Sequence, residues 1–191
     1  RKIVDQAERK SLEINPDDCQ KARSDLTNPR NRLSAEISWL PGVSPRRTSQ
    51  LLEALLTDAM AVRRETGLPT LAHCNVLAAA FEAVPKDYPA ADLAELIQEL
   101  ALLVDDLDVS EVVRDINEDR TISGFPEIRT FDQVESELSE RKRFFRSAIK
   151  DSLNRLPPEV LLVAITTAVE GATHGGESHA PELIDELVDG Y

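Results

Sequence analysis

Proline decides where helices can begin, and this chain sets its prolines directly behind helix-capping side chains. A proline is tolerated at the first helical position because its missing N–H would have no partner there. Asn15-Pro16-Asp17-Asp18 reads as cap, first residue and two acids in the first turn, and Asn28-Pro29 and Ser44-Pro45 repeat the order. Tyr88-Pro89, Pro157-Pro158-Glu159 and Ala180-Pro181-Glu182 are weaker versions. The apolar residues between these starts recur at three-four spacing, the period of a helix packed on one side. The spacing predicts a helix over 45–64, with Leu51, Leu52, Leu55, Leu56, Ala59 and Met60 on one face, Arg63-Arg64 in the last turn and Gly67 beyond it. Two further helices are predicted over 89–107, carried by Leu93, Leu96, Ile97, Leu100, Leu103, Val104 and Leu107, and over 131–156, carried by Phe131, Val134, Leu138, Phe145, Ile149 and Leu156.

Strand signals are thin. Thr121 to Arg129 could run extended, but no alternating segment pairs with it and Pro126 has no N–H for a ladder, so it reads as a loop. The expected fold is therefore all-α, a multi-helix bundle of about eight or nine helices. No repeat of solenoid length is present, although stacked helix pairs stay open as an alternative. Pro41-Gly42-Val43-Ser44-Pro45 is the sharpest turn signal and suggests a small helical segment over 1–42 followed by an acidic bundle over 43–191.

Charge narrows the function classes. The 191 residues carry a formal net charge of −13, spread unevenly: 12 basic and 9 acidic groups over 1–64, 4 and 18 over 65–140, and 6 and 8 over 141–191. The acidic middle would repel phosphates, which argues against a nucleic-acid groove. The longest apolar run, centred on Val160 to Ile165, is far short of the roughly 18–20 residues of a bilayer span, so no membrane partner is expected. Cys19 and Cys74 read as reduced core thiols of a cytoplasmic protein. A chain opening on Arg1 without Met reads as part of a longer multidomain protein.

No motif declares a catalytic chemistry. His73, His174 and His179 form no His-Glu-x-x-His, and Cys74 has no Cys-x-x-Cys partner, so neither a metal nor another cofactor is expected. Asp105, Asp106, Asp108 and Glu111 lack the alternate spacing and the glycine of a calcium loop, and suit a helix start capped by Asp108 or Ser110. Asp115 and Asp119 stand one helical turn apart, as acids on a solvated face do. The Gly- and His-rich stretch 171–179 reads as a loop between helices. An enzyme stays open only as the alternative in which His73, His174, Glu177 and His179 converge in the fold.

One segment carries a resemblance. A basic amphipathic helix from Arg1 and Lys2 through Arg9 and Lys10 leads to Asn15-Pro16-Asp17. A further segment then runs Ala22, Leu26, Pro29 and Arg32 in an Ala-x-x-x-Leu-x-x-Pro-x-x-Arg pattern. This resembles the latter part of a J domain, the module by which co-chaperones engage Hsp70-type ATPases. Asn15 stands where that family has the histidine of His-Pro-Asp, and about nine residues separate Asp17 from Thr27, roughly half of what the family shows. The resemblance implies an acidic partner surface for the basic helix, an Hsp70-type chaperone as the partner class, and weak or absent stimulation of ATP hydrolysis.

The expectation is thus a non-catalytic protein-interaction module, chaperone-associated through its J-like piece. Its partner-binding candidates are Arg1, Lys2, Arg9, Lys10, Asn15, Pro16, Asp17, Arg30, Arg32 and Trp39. Trp39, the only tryptophan, is either a core anchor beside the turn or an exposed anchor for a partner. A structural domain that positions its neighbours is a further alternative. Helical faces pair between chains as readily as within one, so a homodimer also stays open.

Overall fold

A computed structural model describes residues 2–173 and 179–190. Among them run ten α-helices and one 3-10 segment: α1 Lys2–Lys10, α2 Pro16–Thr27, α3 Pro29–Ile37, α4 Pro45–Thr57, the 3-10 segment Ala59–Arg64, α5 Thr70–Glu82, α6 Ala90–Asp105, α7 Val109–Ser123, α8 Asp132–Leu153, α9 Pro158–Ala172 and α10 Glu182–Val188. No strand occurs among the described residues. The all-α bundle is as the periodicity implied, with more and shorter pieces than expected.

The proline-led starts behave as their chemistry dictates. Asn15 Oδ1 accepts the Asp17 N–H at 2.9 Å, Asn28 Oδ1 accepts the Arg30 N–H at 2.9 Å, and Ser44 Oγ accepts the Arg47 N–H at 3.5 Å, each with proline in the first turn behind it. Asp108 caps α7, accepting the Ser110 and Glu111 N–H groups at 2.8 and 3.0 Å. The Ser110 hydroxyl bond, followed by the Glu111 N–H bond, holds the Asp108 carboxyl below the usual carboxylate range. At the far end of α7, Gly124 takes φ +74° and closes the helix in the left-handed conformation that suits a residue without Cβ.

The helix expected over 45–64 is broken. It stops at Thr57, Asp58 turns extended (φ −149°, ψ 86°), and the chain resumes as the 3-10 segment. The turn takes Val62 to complete burial and lets Arg63 reach Glu99 and Glu95, each at 3.2 Å, on α6. Arg63 therefore serves a tertiary ion pair rather than the end of a long helix. Leu56, left on the outer side, is 87% exposed.

The core is built around α5. Leu71, Ala72, Cys74, Val76, Leu77, Ala78, Ala80 and Phe81 are all buried, so the helix is apolar on nearly every side. It packs against α4, the 3-10 segment, α6 and α8, a central position that a stack of helix pairs would not give it. Helix α9 lies on α6, where Gln98 Nε2 donates to the Thr167 and Ala168 carbonyls at 3.2 and 3.0 Å. A Cβ at Gly171 would collide with that Gln98 amide, so the glycine makes the contact reachable. Leu33 and Ile37 of α3, with Leu40 just beyond it, belong to the same core as the later helices.

The stretch after α7 is a loop, pinned by one side chain. Asn117 Oδ1 accepts the Ile128 N–H at 2.7 Å and its Nδ2 donates to the Ile128 carbonyl at 3.1 Å, as a neighbouring strand would. The turn at 41–45 is equally constrained. Gly42 has φ +72°, a Cβ there would meet Pro69 and Asp115 at 3.1 and 3.3 Å, and its N–H donates to Asp119 Oδ2 at 2.9 Å. Asp119 thus holds the turn that leads into α4, while Asp115 packs close against it.

Candidate functional site

One apolar groove among the described residues is made by α1, α2 and the end of α7. Helix α1 is strongly two-faced yet has no fully buried residue, so its apolar side is only partly covered by the rest of the chain. It contributes Lys2, Ile3, Gln6, Ala7 and Lys10; α2 contributes Asp18, Cys19, Ala22, Arg23 and Leu26. Both sets fall at i, i+1, i+4, i+5 and i+8, the spacing of a stripe along one helix face. Two stripes therefore face one trough of about 12 Å, the rise of eight helical residues. Ile14, Ile122, Ser123 and Phe125 complete a groove of about 760 Å³.

Basic groups dominate its rim. Lys2, Lys10 and Arg23 line it against the single acid Asp18. Lys2 Nζ donates to the Ser123 carbonyl at 3.3 Å, tying the start of α1 to the end of α7. Lys10 faces Glu13 at 2.6 Å, with both side chains exposed. Large apolar side chains stand in solvent at the edges: Ile14 is 56% and Ile122 82% exposed. Exposed apolar surface of this extent, bounded by charge, is the usual mark of a contact surface.

The candidates from sequence separate into three groups. Lys2 and Lys10 line the groove, and Arg9 is exposed on the same helix. Asn15, Pro16 and Asp17 form the exposed start of α2, where Asn15 is occupied as the cap. Arg30, Arg32 and Trp39 lie on and after α3. Arg30 is exposed, 3.9 Å from Glu137. Arg32 is turned inward, 3.8 Å from Glu36, with its guanidinium 4.5 Å from the centre of the Phe125 ring. Trp39 is 52% exposed, which removes it from the core. Arg1 lies outside the described residues. Cys19 and Cys74 are both buried and free.

Ile122 and Phe125 were missed as site residues because they lie about a hundred residues from α1. Only the odd placement of an isoleucine on the polar side of α7 could have marked Ile122.

The histidine alternative gains no geometry. His73 lies half buried on α5 and His179 is exposed before α10, while His174 and Glu177 lie outside the described residues. Neither His73 nor His179 lines the groove, the α6–α9 cleft or the cleft between α8 and α10. Among the described residues no three His, Cys, Asp or Glu side chains converge as metal ligands, and no described helix is long and apolar enough to cross a membrane.

Comparison with protein-family models, curated proteins and solved structures gives no match.

Proposed function

We propose that this chain is a non-catalytic protein-docking module whose α1–α2–α7 groove receives an acidic amphipathic segment of a partner protein. The observation that carries the reading is the pairing of an uncovered apolar trough with the rim Lys2, Lys10 and Arg23. An amphipathic helix laid in the trough would bury its apolar side against Ile3, Ala7 and Leu26 and set its acids against the lysines. Charge on the rim would speed encounter and fix orientation, and the apolar contacts would hold the complex.

The J-like resemblance points to the partner class. The basic helix α1, the Asn15-Pro16-Asp17 turn and the helix α2 follow each other in the order of that family. An Hsp70-type chaperone is accordingly the first partner to test. Asn15, occupied as a helix cap in place of the family's histidine, fits binding without stimulated ATP hydrolysis. Two free thiols suit a reducing compartment such as the cytoplasm.

The test is a fluorescence-anisotropy titration of the full chain with an amphipathic helical peptide bearing leucines on one face and glutamates on the other. The Lys2→Glu/Lys10→Glu double variant leaves the core untouched but removes the Lys2–Ser123 contact, so an unchanged circular-dichroism melt accompanies the binding test. The variant should weaken binding at least about tenfold, and a lysine-bearing version of the peptide should then regain affinity. Equal binding of both peptides by the native chain would refute the reading.

A further inference from the structure

The junction of α3, α5 and α8 holds an arrangement that the groove does not use. Asn75 of α5 is buried, and both ends of its amide are engaged. Its Nδ2 donates to the Ile37 carbonyl at 2.8 Å and to the Trp39 carbonyl, and its Oδ1 accepts from Arg141 Nε at 2.7 Å. Those two carbonyls fix which way the amide faces, and the amide in turn fixes the guanidinium. The Arg141 guanidinium carbon also lies 4.0 Å from the centre of the Phe144 ring and 5.2 Å from that of Phe145. The side chain is thus held at its Nε edge and on its face.

What it lacks is a counter-charge. Arg32, Arg63 and Arg120 each face a glutamate, whereas no carboxylate among the described residues pairs with Arg141. Glu137, one turn back on α8, lies by Arg30 instead. The chain has 35 acids for 22 basic residues, so anions are not scarce. Burial pulls the Arg141 pKa down to about 10, the sign of a cation with too little solvent or counter-charge around it. Its two terminal nitrogens donate to nothing among the described residues, and neither counts among the buried polar atoms without a partner, so neither is wholly closed off from solvent. Beside the guanidinium, Phe144 is 40% exposed.

We propose that Arg141 is a preorganised anchor for one carboxylate of an acidic protein segment, taken end-on by Nη1 and Nη2, with the apolar part of the segment resting beside Phe144. A guanidinium fork matches the two oxygens of a carboxylate. A single cation balances a single carboxylate charge, whereas phosphate recognition gathers several arginines. This site is independent of the groove and stands or falls without it.

The probe is the peptide acetyl-Leu-Glu-Leu-amide, with its Gln and phosphoserine counterparts as controls. The readout is the Arg141 side-chain Nε–Hε signal of the ¹⁵N-labelled full chain, assigned by its loss in Arg141→Lys. The Glu peptide should move that signal saturably, with a Kd of about 1 mM. The Gln peptide should leave it in place, and the phosphoserine peptide should bind no more tightly than the Glu peptide. In Arg141→Lys, backbone shifts around Phe144 should lose their saturable response by at least about tenfold in affinity. No saturable shift in the native chain, an equal response to the Gln peptide, or tighter phosphoserine binding would each overturn the assignment; if Arg141→Lys folds poorly, the signal is assigned in the native chain by its through-space contact with the Phe144 ring protons.

Discussion

Single side chains already fix how the bundle responds to its medium. His73 sits half buried on α5 with its Nε2 buried and without a partner among the described residues. Burial holds its pKa below the ordinary 6.5, opposed only in part by the charges of Glu99 and Glu65. The folded chain therefore keeps this imidazole neutral while the unfolded chain takes up a proton as pH drops through about 6.5. Stability linked to His73 is complete above that pH and is lost below it, down to the lower folded pKa. Urea midpoints at pH 7.5 and 5.5 should fall further apart in the native chain than in His73→Gln. An identical drop in both would show that His73 is not the titrating group. Cys74, the next residue, behaves differently: burial pushes its thiol up to about 12, so it stays protonated and unreactive near neutrality.

At the level of elements, ion pairs divide by burial. Arg143 and Glu140 are exposed neighbours on α8, a setting in which a pair contributes a few tenths of a kcal/mol. Arg120 of α7 is buried, and it donates to both carboxylate oxygens of Glu36 on α3, the closest contact being 2.6 Å, and to the Pro126 carbonyl at 3.0 Å. Removing the acid would strand that cation and release Arg32 as well. Glu36→Ala should therefore cost about 3 kcal/mol in a urea titration, while Glu140→Ala should change little. A cost below about 1 kcal/mol for Glu36→Ala would mean that Arg120 finds water or another acceptor. The starts of α2, α3 and α4 were legible in the sequence because capping is settled within four residues. The break at Asp58 was not, because the burial of Val62 and the reach of Arg63 to α6 are decided by neighbours remote in sequence. The Asn117 clasp on Ile128 was hidden for the same reason, since an amide that satisfies a loop looks like any other polar residue on a helix.

Across the whole molecule, α1 and α2 add nothing to the main core, which is built from α3 onward. Helix α1 buries none of its residues fully, while α5 buries most of its own, so the part of the chain nearest the groove is held by the fewest interior contacts. The basic character of α1 and the turn at Asn15-Pro16-Asp17 could be read directly from the residues. The groove itself could not, because Ile122 and Phe125 join it only through the packing of α7 against the N-terminal helices. The same holds for Arg141, which becomes distinctive only once Asn75 and Phe144 are seen to hold it where no described acid pairs with it. Docking of a partner in the α1–α2–α7 groove, as proposed, would leave a footprint on the backbone amides that line it. Its most direct test is amide hydrogen exchange of the full chain with and without a saturating amount of the glutamate-bearing amphipathic peptide. Slower exchange confined to 2–10, 18–26 and 122–125 is the predicted result. Unchanged exchange there, or protection centred instead on the α6–α9 cleft, would contradict it.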